Sequence, residues 1–157
     1  MTGWRIGYTA ASKEIVGAMS RIQSHSTSNP AQASQWASIE ALSGSQAPVD
    51  TMCVAFSERR QYMIQRLNSI EGISCVEPDG AFYAFPNISA TFGKSSQSGK
   101  ITNAVEFCQN LLQEQLVACV PGSGFGAEGY VRLSYATSMD AITKAIDRIE
   151  AFISSLK

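Results

Sequence analysis

The sequence predicts an α/β fold in two parts, a short unit over residues 1–50 followed by a two-layer α/β module over residues 51–157. Three observations carry this. Ile142, Ile146, Ile149, Ile153 and Leu156 recur at helical spacing near the end of the chain, as on a helix with one apolar face. Val131, Leu133 and Tyr135 alternate with Arg132 and Ser134, the period of a strand whose faces meet different surroundings. Residues 44–49 (GSQAPV) form a short Gly/Ser/Pro-rich linker, the composition of a domain boundary.

Taken in order, the elements follow from local patterns. Trp4, Ile6 and Tyr8 alternate with Arg5 and Gly7, which predicts an opening strand. Ser12 can cap a helix with Ile15, Met19 and Ile22 on one face, ended by the polar run 24–28. Asn29, Pro30 and Gln32 make a helix start, and Gly44 makes its stop. Trp4 and Trp36 fit packing positions. Unpaired with a larger sheet, the opening strand should be loosely held.

Phe56, Met63, Leu67 and Ile70 place a long amphipathic helix before Gly72. Residues 73–76 and 80–86 read as strands around a turn at Pro78, Asp79 and Gly80. Residues 91–101 read as an exposed, mobile loop. Asn103 with Glu106 resembles a capping box ahead of Phe107, Leu111 and Leu112. Residues 116–120 and 130–136 complete the strands on either side of a glycine-rich connection, and the final helix closes the module.

Composition narrows the function classes. The 157 residues are 45% hydrophobic and 16% charged, too apolar for a disordered chain. The formal charge is -1 with no basic run, so nothing supplies the stripe that nucleic acid requires. Cys53, Cys75, Cys108 and Cys119 are well separated in sequence and share the chain with one histidine, His25. That pattern suggests neither a metal site nor a disulfide framework. A reducing cytoplasm is the expected home. No stretch has the length and apolarity of a membrane span.

Arg132 is the most informative single residue. Its strand position sends it away from the buried face, where a guanidinium can meet a planar carboxylate through two parallel hydrogen bonds. A solvated or salt-bridged arginine on an open sheet face satisfies the same pattern. Arg5 poses the same question, because Gly7 on the same face leaves room for an anion. A phosphate, a carboxylate or a structural partner all fit Arg5. The segment 121–126 (PGSGFG) leads into a strand and not into a helix, which argues for a tight turn and against a nucleotide loop. His25 sits at a helix end in a serine-rich segment and Asp79 in a turn. No Ser/His/Asp or Cys/His relay and no GxSxG elbow is present.

The blocks MTGWRIGY, SNPAQASQWASIEAL, DGAFYAFPNI and VPGSGFGAEGYVRLSYATS, with their order and gaps, resemble class I aminotransferases of the bacterial aspartate aminotransferase type along essentially the whole chain. The resemblance implies the C-terminal part of a fold type I pyridoxal-phosphate-dependent transferase. Residues 1–50 would then be a remnant of the large cofactor domain, and residues 51–157 the complete small domain. It implies that Arg5 binds the phosphate of pyridoxal 5'-phosphate and that Arg132 pairs with the substrate α-carboxylate. Phe82 would wall the pocket or, more simply, pack in the core.

The Schiff-base lysine of that family stands roughly eight residues upstream of the phosphate-binding arginine, before Met1, so no catalytic residue is assigned and the chain alone is expected to be catalytically incomplete. Lys13 lies on the wrong side of Arg5 to replace it. The implied reaction moves an amino group between an amino acid, aspartate first, and a 2-oxo acid, within a cytoplasmic homodimer. Prephenate or aromatic amino-acid transamination and β-elimination use the same carboxylate clamp. A non-catalytic binding or dimerisation module is the rival from another class.

Overall fold

The computed structural model describes residues 1–157, the side chain of residue 2 excepted. The chain forms two compact units, Met1–Asp50 and Thr51–Lys157.

The first unit differs from the expected strand and helix pair. Thr2–Trp4 is a short 3-10 turn, Arg5 follows with φ 56°, and residues 6–12 are irregular. Alternation favours a strand only where a neighbour completes its hydrogen-bond ladder. The rest of this unit is helices and short connections, so its described residues offer no such neighbour. Helix α1 (Lys13–Ser26) begins after Ser12, whose side chain makes no capping bond. Helix α2 (Gln32–Ser43) begins after Ala31, two residues beyond the proline expected to open it. The side-chain amide of Gln35 donates to the Pro30 carbonyl instead. Gly44 ends α2 as expected, its N–H donating to the Glu40 carbonyl.

The two tryptophans do not pack as the sequence suggests, Trp4 being 57% and Trp36 66% exposed. Helix α1 buries none of its described residues. Its amides should therefore exchange with solvent hydrogen much faster than those of the C-terminal helix, which buries five apolar side chains. Equal protection of the two helices in hydrogen-exchange mass spectrometry would contradict this.

Helix α3 (Ala47–Asn68) starts inside the segment expected to be a linker, and the division between the units falls in its first turns. Met63, Ile64 and Leu67 are its buried face. It ends at Asn68, four residues before Gly72, and the Asn68 side chain binds both the N–H and the C=O of Cys75. Arg66 on its last turn pairs with Asp147 at 2.7 Å and Glu150 at 3.2 Å, and the Asp147 bond holds its pKa above the ordinary arginine value.

The main sheet is antiparallel with strand order β1-β5-β4, where β1 is Tyr83–Ala84, β4 Val120–Pro121 and β5 Val131–Ser134. The expected strand over 73–76 is reduced to one bridge, Ser74 to Asn87. The expected loop over 91–101 holds a hairpin, β2 (Ser95–Ser96) with β3 (Gly99–Lys100). Ser95 exchanges both backbone hydrogen bonds with Lys157 at the chain's end. That pairing and the Asn110 amide, which reaches Ser96 and Gly99, replace the mobility its composition suggests.

Helix α4 (Ala104–Gln115) is capped by Asn103, whose side chain accepts from the Glu106 N–H. The reciprocal half of the box is displaced by one residue. Glu106 accepts from the Thr102 N–H and hydroxyl, which holds its carboxyl below the ordinary range. Phe107 and Leu111 are buried but Leu112 is exposed. Helix α5 (Met139–Ser155), capped by Ser138, buries Ile142, Ile146, Ile149, Phe152 and Ile153. These side chains, with Phe107 and Leu111, cover the face of the sheet that carries Ala84, Val131, Leu133 and Tyr135.

Candidate functional site

The other face of that sheet is aromatic and carries Arg132. Along β5 the burial alternates, with Val131 and Leu133 buried, Arg132 half-buried and Ser134 exposed, as a period-2 strand over a core requires. Tyr83 on β1 stands opposite Ser134. It is therefore the diagonal neighbour of Arg132, within reach of a long side chain. Its ring centroid lies 4.4 Å from the guanidinium carbon. On the other side, Val120 of β4 stands opposite Arg132. The chain leaving β4 turns through a 3-10 segment, Gly122–Phe125, and brings the Phe125 ring to 4.7 Å from the same carbon.

The turn that places Phe125 is close-packed, as its glycines lead one to expect. A Cβ at Gly122 would fall on the carbonyls of Ala127 and Tyr130, and Gly126 takes φ 75°. Phe85 and Tyr130 extend the aromatic bed, stacked with centroids 5.2 Å apart. Tyr83 is placed by a further constraint. Ala81 adopts a left-handed φ of 61°, costly for a residue with a Cβ. The Tyr135 hydroxyl donates to its carbonyl at 3.1 Å, while the Tyr135 N–H donates to Phe82.

The Arg132 guanidinium therefore lies over two aromatic rings. The N–H donors of a guanidinium lie in its plane, the geometry a carboxylate meets through paired bonds. Among the described residues no Asp or Glu lies within 4.0 Å of Arg132. The contrast is Arg60, beside a concavity of about 290 Å³ lined by Phe56, Asp79, Ala81 and Tyr135. Arg60 is committed to Glu77 at 3.3 Å and to the Pro78 carbonyl at 2.9 Å.

Arg5 is exposed in the first unit, and open space surrounds the position a Cβ would take at Gly7. The segment is fixed by buried Ser34 of α2, whose hydroxyl donates to the Trp4 carbonyl at 2.9 Å. Phe82 is half-buried against the core, stacked on Phe56 at 6.2 Å. His25 is exposed on the last turn of α1. Among the described residues no cluster of three metal-ligating side chains occurs, and no helix is long and apolar enough to cross a membrane.

Sequence reasoning singled out the arginines but not Tyr83, Phe125, Ala81 or Ser34. Period-2 alternation placed Arg132 on a face, but it carries no information on which strands are neighbours.

The antiparallel sheet backed by helices is shared with solved structures of known proteins. The chain belongs to the family of class I and II aminotransferases, whose shared pattern matches residues 1–149. Among individual relatives it is 48% identical over 153 residues to the aspartate aminotransferase of Bacillus subtilis, covering 98% of this chain and 38% of that protein. It is 46% identical over 157 residues to the aspartate/prephenate aminotransferase of Cereibacter sphaeroides, covering 99% of this chain and 39% of that protein. The crystal structure of the Rhizobium meliloti aspartate aminotransferase superposes with a TM-score of 0.89 at 42% identity, over 100% of this chain and 40% of that one. The chain thus spans about two fifths of the length of the relatives it matches, and its fold is that of the matching part of these α/β enzymes. Membership of this family implies pyridoxal phosphate as the cofactor class.

Proposed function

We propose that this chain supplies the substrate-carboxylate clamp and one phosphate ligand of an aminotransferase that moves an amino group between an amino acid and a 2-oxo acid. The observation that carries the proposal is Arg132, held by Tyr83 and Phe125 with no acidic side chain within 4.0 Å among the described residues. Such a group discriminates for a planar anion, and its preorganised fork loses little side-chain entropy on binding. Arg5 is assigned to the cofactor phosphate, on the strength of its exposure and the family resemblance. Residues 1–50 are assigned to the cofactor domain and residues 51–157 to the small domain.

Pyridoxal phosphate supplies the electron sink of this chemistry, and the residues of this chain bind and orient. Aspartate is the favoured amino donor, because relatives named for aspartate match along 98% of the chain. Prephenate is the second choice, after the relative named for both substrates. A cytoplasmic homodimer is the assembly the family resemblance supports.

Titrating the chain with succinate, a dicarboxylate stand-in for the substrate, tests the clamp. The Arg132 Nε–H resonance in 1H–15N spectra is expected to shift saturably, and the Arg132→Lys variant to bind at least about tenfold more weakly, because lysine lacks the fork. Equal small shifts at all surface cations, unchanged in that variant, would remove the basis of the assignment.

A further inference from the structure

Cys108 and Cys119 are separated by ten residues in sequence, yet their sulfurs lie 3.3 Å apart, with the Cys119 thiol donating to Cys108. The fold creates this meeting. Cys108 lies in the second turn of α4, on its buried side. At the helix end Leu116 takes a left-handed φ of 56° and reverses the chain. Residues 117–119 then run back beside the helix into β4, whose Val120 stands opposite Arg132.

The other two cysteines are differently placed, Cys53 exposed on α3 and Cys75 buried, its backbone bonded to the Asn68 side chain. All four are free thiols. A disulfide requires the sulfurs at about 2.05 Å, so the pair is about 1.2 Å from bonding distance, within reach of small side-chain rotations. Cys119 is partly exposed, which gives a small reagent a route to the pair.

We infer that Cys108 and Cys119 form an oxidisable dithiol, a site at which a small hydroperoxide converts two thiols into a reversible intramolecular disulfide. The Cys108 sulfur attacks one peroxide oxygen, an S–O bond forming as the O–O bond breaks, and the departing hydroxide takes up the thiol proton as water. The Cys119 sulfur then attacks the Cys108 sulfenic acid. The S–S bond forms, the S–O bond breaks, and the leaving hydroxide departs with the Cys119 proton as a second water. Two thiols are oxidised and one hydrogen peroxide is reduced to two waters.

The roles follow the hydrogen bond. The Cys119 donor pulls the Cys108 thiol below its ordinary range, while donation to Cys108 together with burial raises Cys119. The more acidic sulfur meets the oxidant and its neighbour resolves it. Cys75 has no sulfur partner, and burial raises its thiol. Reduction by an external dithiol reverses the change and frees the segment entering β4.

The test uses the full chain, reduced, freed of reductant and exposed to one equivalent of hydrogen peroxide. It is then unfolded, alkylated with iodoacetamide and analysed as peptides. The expected product is a single internal link between Cys108 and Cys119, lost on dithiothreitol treatment, with Cys53 alkylated as in the untreated protein. Cys53→Ser is expected to leave the link unchanged. Cys119→Ser should abolish it and leave Cys108 as a sulfenic acid trapped by dimedone, with the circular dichroism spectrum confirming the fold. The inference is overturned if Cys108 and Cys119 both remain alkylatable once the peroxide is consumed, or if Cys53 is oxidised first, alone or as a link between two chains.

Discussion

Replacing Phe152 with alanine should destabilise residues 51–157 by about 3–5 kcal/mol, a large share of the roughly 5–15 kcal/mol that holds a domain folded. Phe152 is fully buried on α5, and its ring meets Phe107 of α4 edge to face with centroids 5.5 Å apart. Truncation removes its apolar burial and leaves a cavity between two helices whose rigid side chains cannot close on it. Urea denaturation followed by tryptophan-independent circular dichroism gives the value directly. Since Phe107→Ala removes the same ring contact, the double variant should cost less than the sum of the singles by about 0.5–1.5 kcal/mol. A loss below about 1.5 kcal/mol for Phe152→Ala would mean that the two helices do not share this core.

The second large effect is on activity. In a complete aminotransferase that carries this sequence, Arg132→Ala is expected to lower kcat/KM for aspartate by about thirty- to several-thousand-fold, the equivalent of about 2–5 kcal/mol for truncating one partner of a desolvated charge pair. Because the proposed carboxylate contact would exist before and during reaction, KM should rise, and kcat should fall with the loss of substrate orientation. Arg132→Lys should fall between the two proteins, since it keeps charge but loses the fork. The roles proposed for Tyr83 and Phe125 run through Arg132, whose guanidinium lies over both rings, so an unchanged KM in Arg132→Ala would undo the roles of all three.

How much of this was legible beforehand depended on the range of each interaction. The helix over 139–155 was readable because Ile142, Ile146, Ile149 and Ile153 repeat within one element, although Phe152 was not singled out and Leu156 falls just past the helix end. The Asn103 cap was equally local. The opening strand was not readable in the same way. Trp4, Ile6 and Tyr8 have the right alternation, yet no strand stands beside them within their unit among the described residues. The hairpin at 95–100 was also hidden, because its order comes from Lys157 and Asn110, far away in sequence.

The sequence by itself determined which side chains could seek an anion, the periodicity of the core and, through its motif blocks, the family. Only the tertiary structure decided that Tyr83 and Phe125 flank Arg132, that Arg60 is committed to Glu77, and that Cys108 and Cys119 touch. The physical reason is that patterning is set by the chain's own 2.0- and 3.6-residue periods, which one segment displays alone. Strand order, register and a left-handed reversal such as that at Leu116 instead select which distant segments become neighbours.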